Sequence, residues 1–212
     1  MNKKTIFWDD DTQFDFMMPQ GRLYITGAET IIDTVSKIRQ FALDNGFSII
    51  ASVDWHSAGN PEISDKPDFI NTFPPHCIAG DKGAERIGFL GSVPVSYMNT
   101  EPLDEAVIKN LITKEQFHIA IRKNSLDVFD NPNTQKLFDL LRPEKIVAFG
   151  VATEFCVYQA VKGFLENTDS SVYLIKDAVK AIDPEKGRAV LNELKSKGVK
   201  IINASNLKEL FL

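Results

Sequence analysis

Cys156 stands in Gly150-Val151-Ala152-Thr153-Glu154-Phe155-Cys156, directly after the apolar run Lys145-Ile146-Val147-Ala148-Phe149 and directly before a helical pattern. A thiol at a strand-to-helix turn meets the unpaired N–H groups and partial positive charge of a helix start, which favour thiolate and can hold a developing oxyanion. Alone, such a cysteine is more often a packing residue. Two other segments bring suitable partners. The first strand runs into Asp9-Asp10-Asp11-Thr12-Gln13-Phe14-Asp15-Phe16, and a later one ends in Ile121-Arg122-Lys123-Asn124. Each has a plain reading as a solvated turn or a surface charge. At one sheet edge they form a set: a carboxylate (Asp11) to take the thiol proton, a cation (Lys123) to steady the anions, and a thiolate (Cys156) to attack an acyl carbon.

A second constellation lies in Val53-Asp54-Trp55-His56, in Glu62, and in Phe73-Pro74-Pro75-His76-Cys77. Asp54 and His56 are two residues apart, so in extended chain their side chains project to one side. Only three histidines occur in the chain, and two of them fall here among acids. That mixture of imidazole and carboxylate binds zinc, iron or manganese, and three protein ligands leave positions open for water or substrate. The third, His118, falls inside a predicted strand and reads as a packed core or edge residue.

Alternating apolar runs and amphipathic segments must position these groups. Strands are predicted at Thr5–Trp8, Phe47–Val53, His118–Ile121, Lys145–Phe149, Val172–Ile175 and Val199–Ile202. Helices are predicted at Thr30–Asn45, Leu103–Asn110, Thr134–Leu141, Glu154–Leu165 and Pro184–Lys197, the last opened by an Asp183-Pro184 cap. The alternation implies an α/β fold, a parallel sheet covered on both faces, with ligands beyond the carboxyl ends of the strands. The chain reads as one domain over residues 1–212, with 80–113 as the segment that resists assignment and a candidate lid or insertion.

Composition narrows the function. The 212 residues carry 43% hydrophobic and 25% charged side chains, enough for a substantial core. A net charge of -5 argues against a broad nucleic-acid or anionic-membrane surface and favours a small-molecule partner. Two cysteines make no disulfide framework, no apolar stretch is long enough to span a membrane, and the first residues lack a signal peptide's apolar core. The expected location is the cytoplasm.

The chain resembles the nicotinamidases of the isochorismatase-like cysteine hydrolase family. The resemblance rests on Asp11-Thr12-Gln13-Phe14-Asp15-Phe16, Gly27-Ala28-Glu29, Asp54-Trp55-His56, Pro74-Pro75-His76-Cys77 with Gly80 and Gly83-Ala84-Glu85, Lys123, the Cys156 segment, and Asp177-Ala178-Val179-Lys180, in the family's order over nearly the whole chain. It implies a three-layer fold with a six-stranded parallel sheet and a catalytic triad of Asp11, Lys123 and Cys156. It further implies a divalent metal, zinc before iron or manganese, on Asp54, His56 and His76. An oxyanion hole from the N–H groups of Ala152 and Cys156, a cis peptide between Val151 and Ala152, and a ring clamp of Phe16 and Phe73 complete the implied site. The implied reaction is hydrolysis of nicotinamide to nicotinate and ammonia through a thioester. Another small amide, a carbamoyl or ureido compound, is the alternative substrate, and a non-catalytic binding protein on the same fold the third reading. Members are often dimers or larger, so a homo-oligomer is implied by analogy.

Departures from the family pattern mark where this chain is its own. Glu62 stands where members often carry a further histidine, and is a candidate fourth ligand with a harder donor. Phe73 replaces a frequent tryptophan. Asp9 and Asp10 stand where apolar residues are usual, and strand alternation places Asp9 on the side of Asp11. The tyrosine-serine pair common after the lysine is absent, with Ser125 and Phe129 nearby.

Overall fold

β-Branched and aromatic residues form strands at all six predicted places, and a seventh strand joins them. The computed structural model describes residues 4–57, 59–88, 91 and 93–212. The strands are β1 (Thr5–Asp10), β2 (Ser48–Asp54), β3 (Val95–Met98), β4 (His118–Lys123), β5 (Lys145–Val151), β6 (Ser171–Lys180) and β7 (Lys200–Ile202). They make one sheet in the order β3-β4-β2-β1-β5-β6-β7, every pair parallel. The expected six-stranded sheet is therefore corrected to seven. β3 escaped prediction because it is a four-residue edge strand, Val-Ser-Tyr-Met, with only Met98 buried and Tyr97 exposed, so no apolar run marks it.

Strand alternation divides the core into two layers. Ile6 and Trp8 of β1 face one side with Ile50, Ile146, Ala148, Val172 and Leu174. Over them pack α3 (Glu105–Leu111), α4 (Thr134–Leu141), α5 (Cys156–Asn167) and α6 (Pro184–Ser196), through Ile108, Leu137, Phe138, Val161, Phe164 and Leu194. Phe7 faces the other side with Ile49, Val147, Phe149, Tyr173 and Ile175, beneath α1 (Phe14–Met17), α2 (Ile32–Asp44) and α7 (Leu207–Phe211). Burial of both faces explains why the central strands read as continuous apolar runs. Asp183 caps α6 by accepting from the N–H groups of Glu185 and Lys186.

β1 is central, with β2 on one side and β5 on the other, so the chain reverses direction across the sheet beside it. A crevice opens at such a switch, beyond the carboxyl ends of the strands. Asp11 follows β1, Asp54 ends β2, Lys123 ends β4, and Cys156 follows β5. Four adjacent strands thus deliver the four residues to one place. Among the described residues no helix is long and apolar enough to cross a membrane.

Candidate active site

Local backbone geometry at the end of β1 decides which acids enter the crevice. Asp11 has φ 44°, a left-handed conformation that breaks the strand's alternation. Asp9 is therefore not on Asp11's side, contrary to the expectation from alternation. It points into the α2 layer, where its carboxylate accepts from Arg39 Nε at 2.8 Å, from Arg86 Nη2, and from Thr12 Oγ1 at 2.8 Å. Burial works against that charge, but the two guanidinium groups hold the Asp9 carboxyl well below the usual carboxylate range. The acid that accompanies Asp11 is Asp10: Ser52 Oγ lies 2.8 Å from Asp11 Oδ1 and 3.1 Å from Asp10 Oδ1. β5 approaches closely here, and a Cβ on Gly150 would lie 2.0 Å from the Asp10 carbonyl oxygen, so only glycine fits.

Asp11, Lys123 and Cys156 meet in the buried floor of the crevice. Lys123 Nζ lies 2.9 Å from Asp11 Oδ2 and 3.5 Å from Cys156 Sγ, contacts Asp54 Oδ1, and donates to the Ser125 carbonyl at 3.1 Å. Burial opposes the lysine's charge, yet Asp11, Asp54 and Cys156 hold its pKa well above the ordinary value. Burial raises Asp11 as well, with Lys123 pulling down and Asp54 pushing up, which makes it a stronger base than a solvated aspartate. The Cys156 thiol is pushed well above its usual value by burial, against Lys123 and with help from Asp11, Asp54 and Asp10. The start of α5 does not by itself lower the thiol's pKa here, because burial outweighs it. The Val151–Ala152 peptide is cis, and Cys156 is the first residue of α5. Ser125 uses its hydroxyl on Asp130, and Phe129 packs on Phe164, so neither replaces the missing tyrosine-serine pair in the crevice.

Asp54 joins this group to a second one. Its Oδ1 faces Lys123, while Oδ2 lies 3.6 Å from His56 Nε2 and 3.4 Å from His76 Nε2. Ligand atoms of Asp54, His56 and His76 all lie within 4.8 Å of one another. Both ring nitrogens of His56 are buried without a hydrogen-bond partner, a state that costs free energy unless a cation is coordinated. His76 Nδ1 lies 2.8 Å from the Pro74 carbonyl, which turns its Nε2 lone pair toward Asp54. The donors therefore fit a divalent ion. Glu62 Oε2 lies 3.8 Å from His56 Nε2, at the edge of the group. Asp11, Asp54 and Cys156 converge equally closely, but there the Lys123 ammonium already supplies the cation. His118 is the buried residue that was expected, its Nε2 2.7 Å from Arg86 Nη1.

Above these groups opens a cleft lined by Phe16, Phe73, His76, Asp54, Ala152 and Cys156, and by Leu23, Ile25, Leu126, Val151, Phe155 and Ile182. Phe73 stands edge-on to Phe155 at 5.9 Å and to His76 at 6.2 Å, and Phe16 lies 5.4 Å from His76. No lysine or arginine is among the lining residues. Leu23, Ile25, Leu126, Phe155 and Ile182 were not anticipated from sequence. Ile182, a large apolar residue left 49% exposed, is the one with a local signal, since it follows the Asp177-Ala178-Val179-Lys180 motif at a strand end.

A cysteine, a lysine and an aspartate thus stand together at the ends of neighbouring strands of one parallel α/β sheet. The chain belongs to the isochorismatase family: the isochorismatase domain matches residues 10–206. It is accordingly an enzyme, a hydrolase related to nicotinamidases. Two relatives are the nicotinamidase/pyrazinamidase of Mycobacterium tuberculosis, 23% identical over 92% of this chain and 96% of its own, and the nicotinamidase of Saccharomyces cerevisiae, 23% identical over 91% and 96%. Among solved structures, the pyrazinamidase of Pyrococcus horikoshii in complex with zinc is 26% identical, with a TM-score of 0.75 over 94% of this chain and 99% of that one.

Proposed function

We propose that this protein hydrolyses nicotinamide to nicotinate and ammonia by cysteine catalysis. The observation that carries the reading is the meeting of Asp11, Lys123 and Cys156 beneath an apolar, aromatic cleft. Asp11 takes the thiol proton, Cys156 Sγ adds to the amide carbon, and Lys123 balances the anionic pair. The N–H groups of Ala152 and Cys156 hold the oxyanion. Collapse expels the amine with the proton from Asp11, giving ammonia and a thioester. Water then gives a proton to Asp11 and adds to the thioester, and the departing thiolate takes that proton back. Asp54, His56 and His76, with Glu62 as a fourth donor, would hold a divalent ion, zinc before iron or manganese, which supplies a Lewis-acidic contact for a donor atom of the substrate.

The cleft favours a flat, uncharged ring over a carbamoyl or ureido compound. Phe16 and Phe73 offer faces and edges to an aromatic plane. Leu23, Ile25, Leu126, Val151, Phe155 and Ile182 beside these two rings leave few polar groups along the walls to read a flexible polar chain. Ammonia release from nicotinamide, compared with a panel of carbamoyl and ureido compounds, tests the reading. Release from nicotinamide at the highest kcat/KM supports it, and release from the ureido compounds alone moves the assignment to them.

A further inference from the structure

Asp10 is the one acid of the crevice that the reaction leaves without a task. It ends β1, is 1% exposed, and stands on the opposite face of the strand from Asp9. Its Oδ2 accepts from Trp8 Nε1 at 2.7 Å, and its Oδ1 lies 3.1 Å from Ser52 Oγ. The same hydroxyl lies 2.8 Å from Asp11 Oδ1.

A serine has one hydroxyl hydrogen to donate, and here two carboxyl oxygens lie within reach of it. Were both acids ionised, one of these contacts would set an oxygen lone pair against an anionic oxygen. The conflict disappears when one acid carries a proton and donates it to Ser52, which then donates onward to the other. Asp11 sits 2.9 Å from the Lys123 ammonium and keeps its charge, whereas the groups bonded to Asp10 are neutral. Because Oδ2 must accept from Trp8, the proton belongs on Oδ1. We propose that Asp10 is a neutral carboxylic acid that donates to Ser52, which in turn donates to Asp11 Oδ1, so that Asp10 is a positioning residue for the general base.

Other charged or titratable groups facing Asp10 are Asp11, Lys123 on β4 and Cys156 on α5. Burial and the Asp11 charge push the Asp10 carboxyl well above its ordinary value, and Lys123 opposes them without prevailing. The chain of donors leaves Asp11 Oδ2 as the oxygen turned toward Lys123. It also stabilises Asp11 as an anion, because a hydrogen bond to the charged form favours that form.

The test has one arm in the resting protein and one in turnover, and only the second rests on the nicotinamide reading. At neutral pH the infrared spectrum of the parent should contain a protonated-carboxyl carbonyl band that is missing from Asp10→Asn; its absence from the parent overturns the proposal. In turnover, Ser52→Ala removes a donor from Asp11 and should move the acid limb of kcat/KM up by about one pH unit. Asp10→Asn keeps a neutral donor to Ser52 and an acceptor for Trp8, so its acid limb should stay where the parent's is. A shift of that limb to lower pH in Asp10→Asn means that a negative charge was removed, and an unmoved limb in Ser52→Ala means that the hydroxyl does not act on Asp11; either result overturns the proposal.

Discussion

Replacing Lys123 by methionine tests the electrostatics of the crevice directly, because methionine keeps most of the buried stem and deletes the ammonium. Lys123 Nζ is 2.9 Å from Asp11 Oδ2 and touches Asp54 Oδ1, and both acids are buried. At an effective dielectric constant of about 20, one pair at that separation interacts by about 6 kcal/mol. Desolvation of the lysine offsets much of this, and removing one partner of a buried pair costs about 3–5 kcal/mol net. The loss should also depend on pH. Without the ammonium, the Asp11 carboxyl rises further above its unfolded value and the strong depression of Asp54 is relieved. A raised carboxyl gives stability that is complete below the unfolded pKa and is lost as pH rises through the folded one; a depressed carboxyl gives stability that is lost as pH falls. Both changes make the variant's deficit grow between mild acid and neutrality. Urea unfolding of parent and variant across that range, in chelator so that no ion substitutes for the ammonium, reads the difference. A deficit under about 1 kcal/mol at neutral pH, or one that shrinks as pH rises, would refute the reasoning.

Three further outcomes follow from individual contacts. Asp9→Asn leaves Arg39 and Arg86 buried without their counter-ion and should cost about 3–5 kcal/mol by denaturant unfolding, with the deficit fading in acid because the depressed carboxyl contributes only above its unfolded pKa. Cys156→Ala should fold as the parent does by circular dichroism, and iodoacetamide should modify Cys156, which lines the cleft, before Cys77, which is 0% exposed. Phe73→Ala removes the ring that stands edge-on to Phe155 and His76, and should raise KM for an aromatic amide by about tenfold with a smaller change in kcat, as steady-state kinetics would report.

Residue types and spacing located much of the crevice, because Asp11, Asp54, Lys123 and Cys156 each stand at or just beyond the carboxyl end of a strand whose apolar run is visible in sequence. Asp54, His56 and His76 could be grouped since two of the chain's three histidines follow Asp54 in one acid-containing segment. Side-chain direction at the end of β1 was not legible. Alternation assigned Asp9 to the crevice, but the positive φ of Asp11 interrupts the period, and the buried partners of Asp9 come from α2 and from Arg86, far away in sequence. β3 was missed for a related reason: a half-exposed edge strand makes its bonds to β4 without an apolar signature of its own. The forces on the thiol's pKa were also not legible from position alone, since the helix start is local whereas the burial and the three acids around Cys156 are tertiary. The apolar walls from Leu23, Leu126 and Ile182 lie on loops that only the folded chain brings over the nucleophile.

Ammonia release from nicotinamide, measured side by side for the purified parent and Cys156→Ala, tests the central claim most directly. Steady release by the parent and none above background from the variant is the predicted result. No release from the parent, or equal release from both proteins, would contradict it.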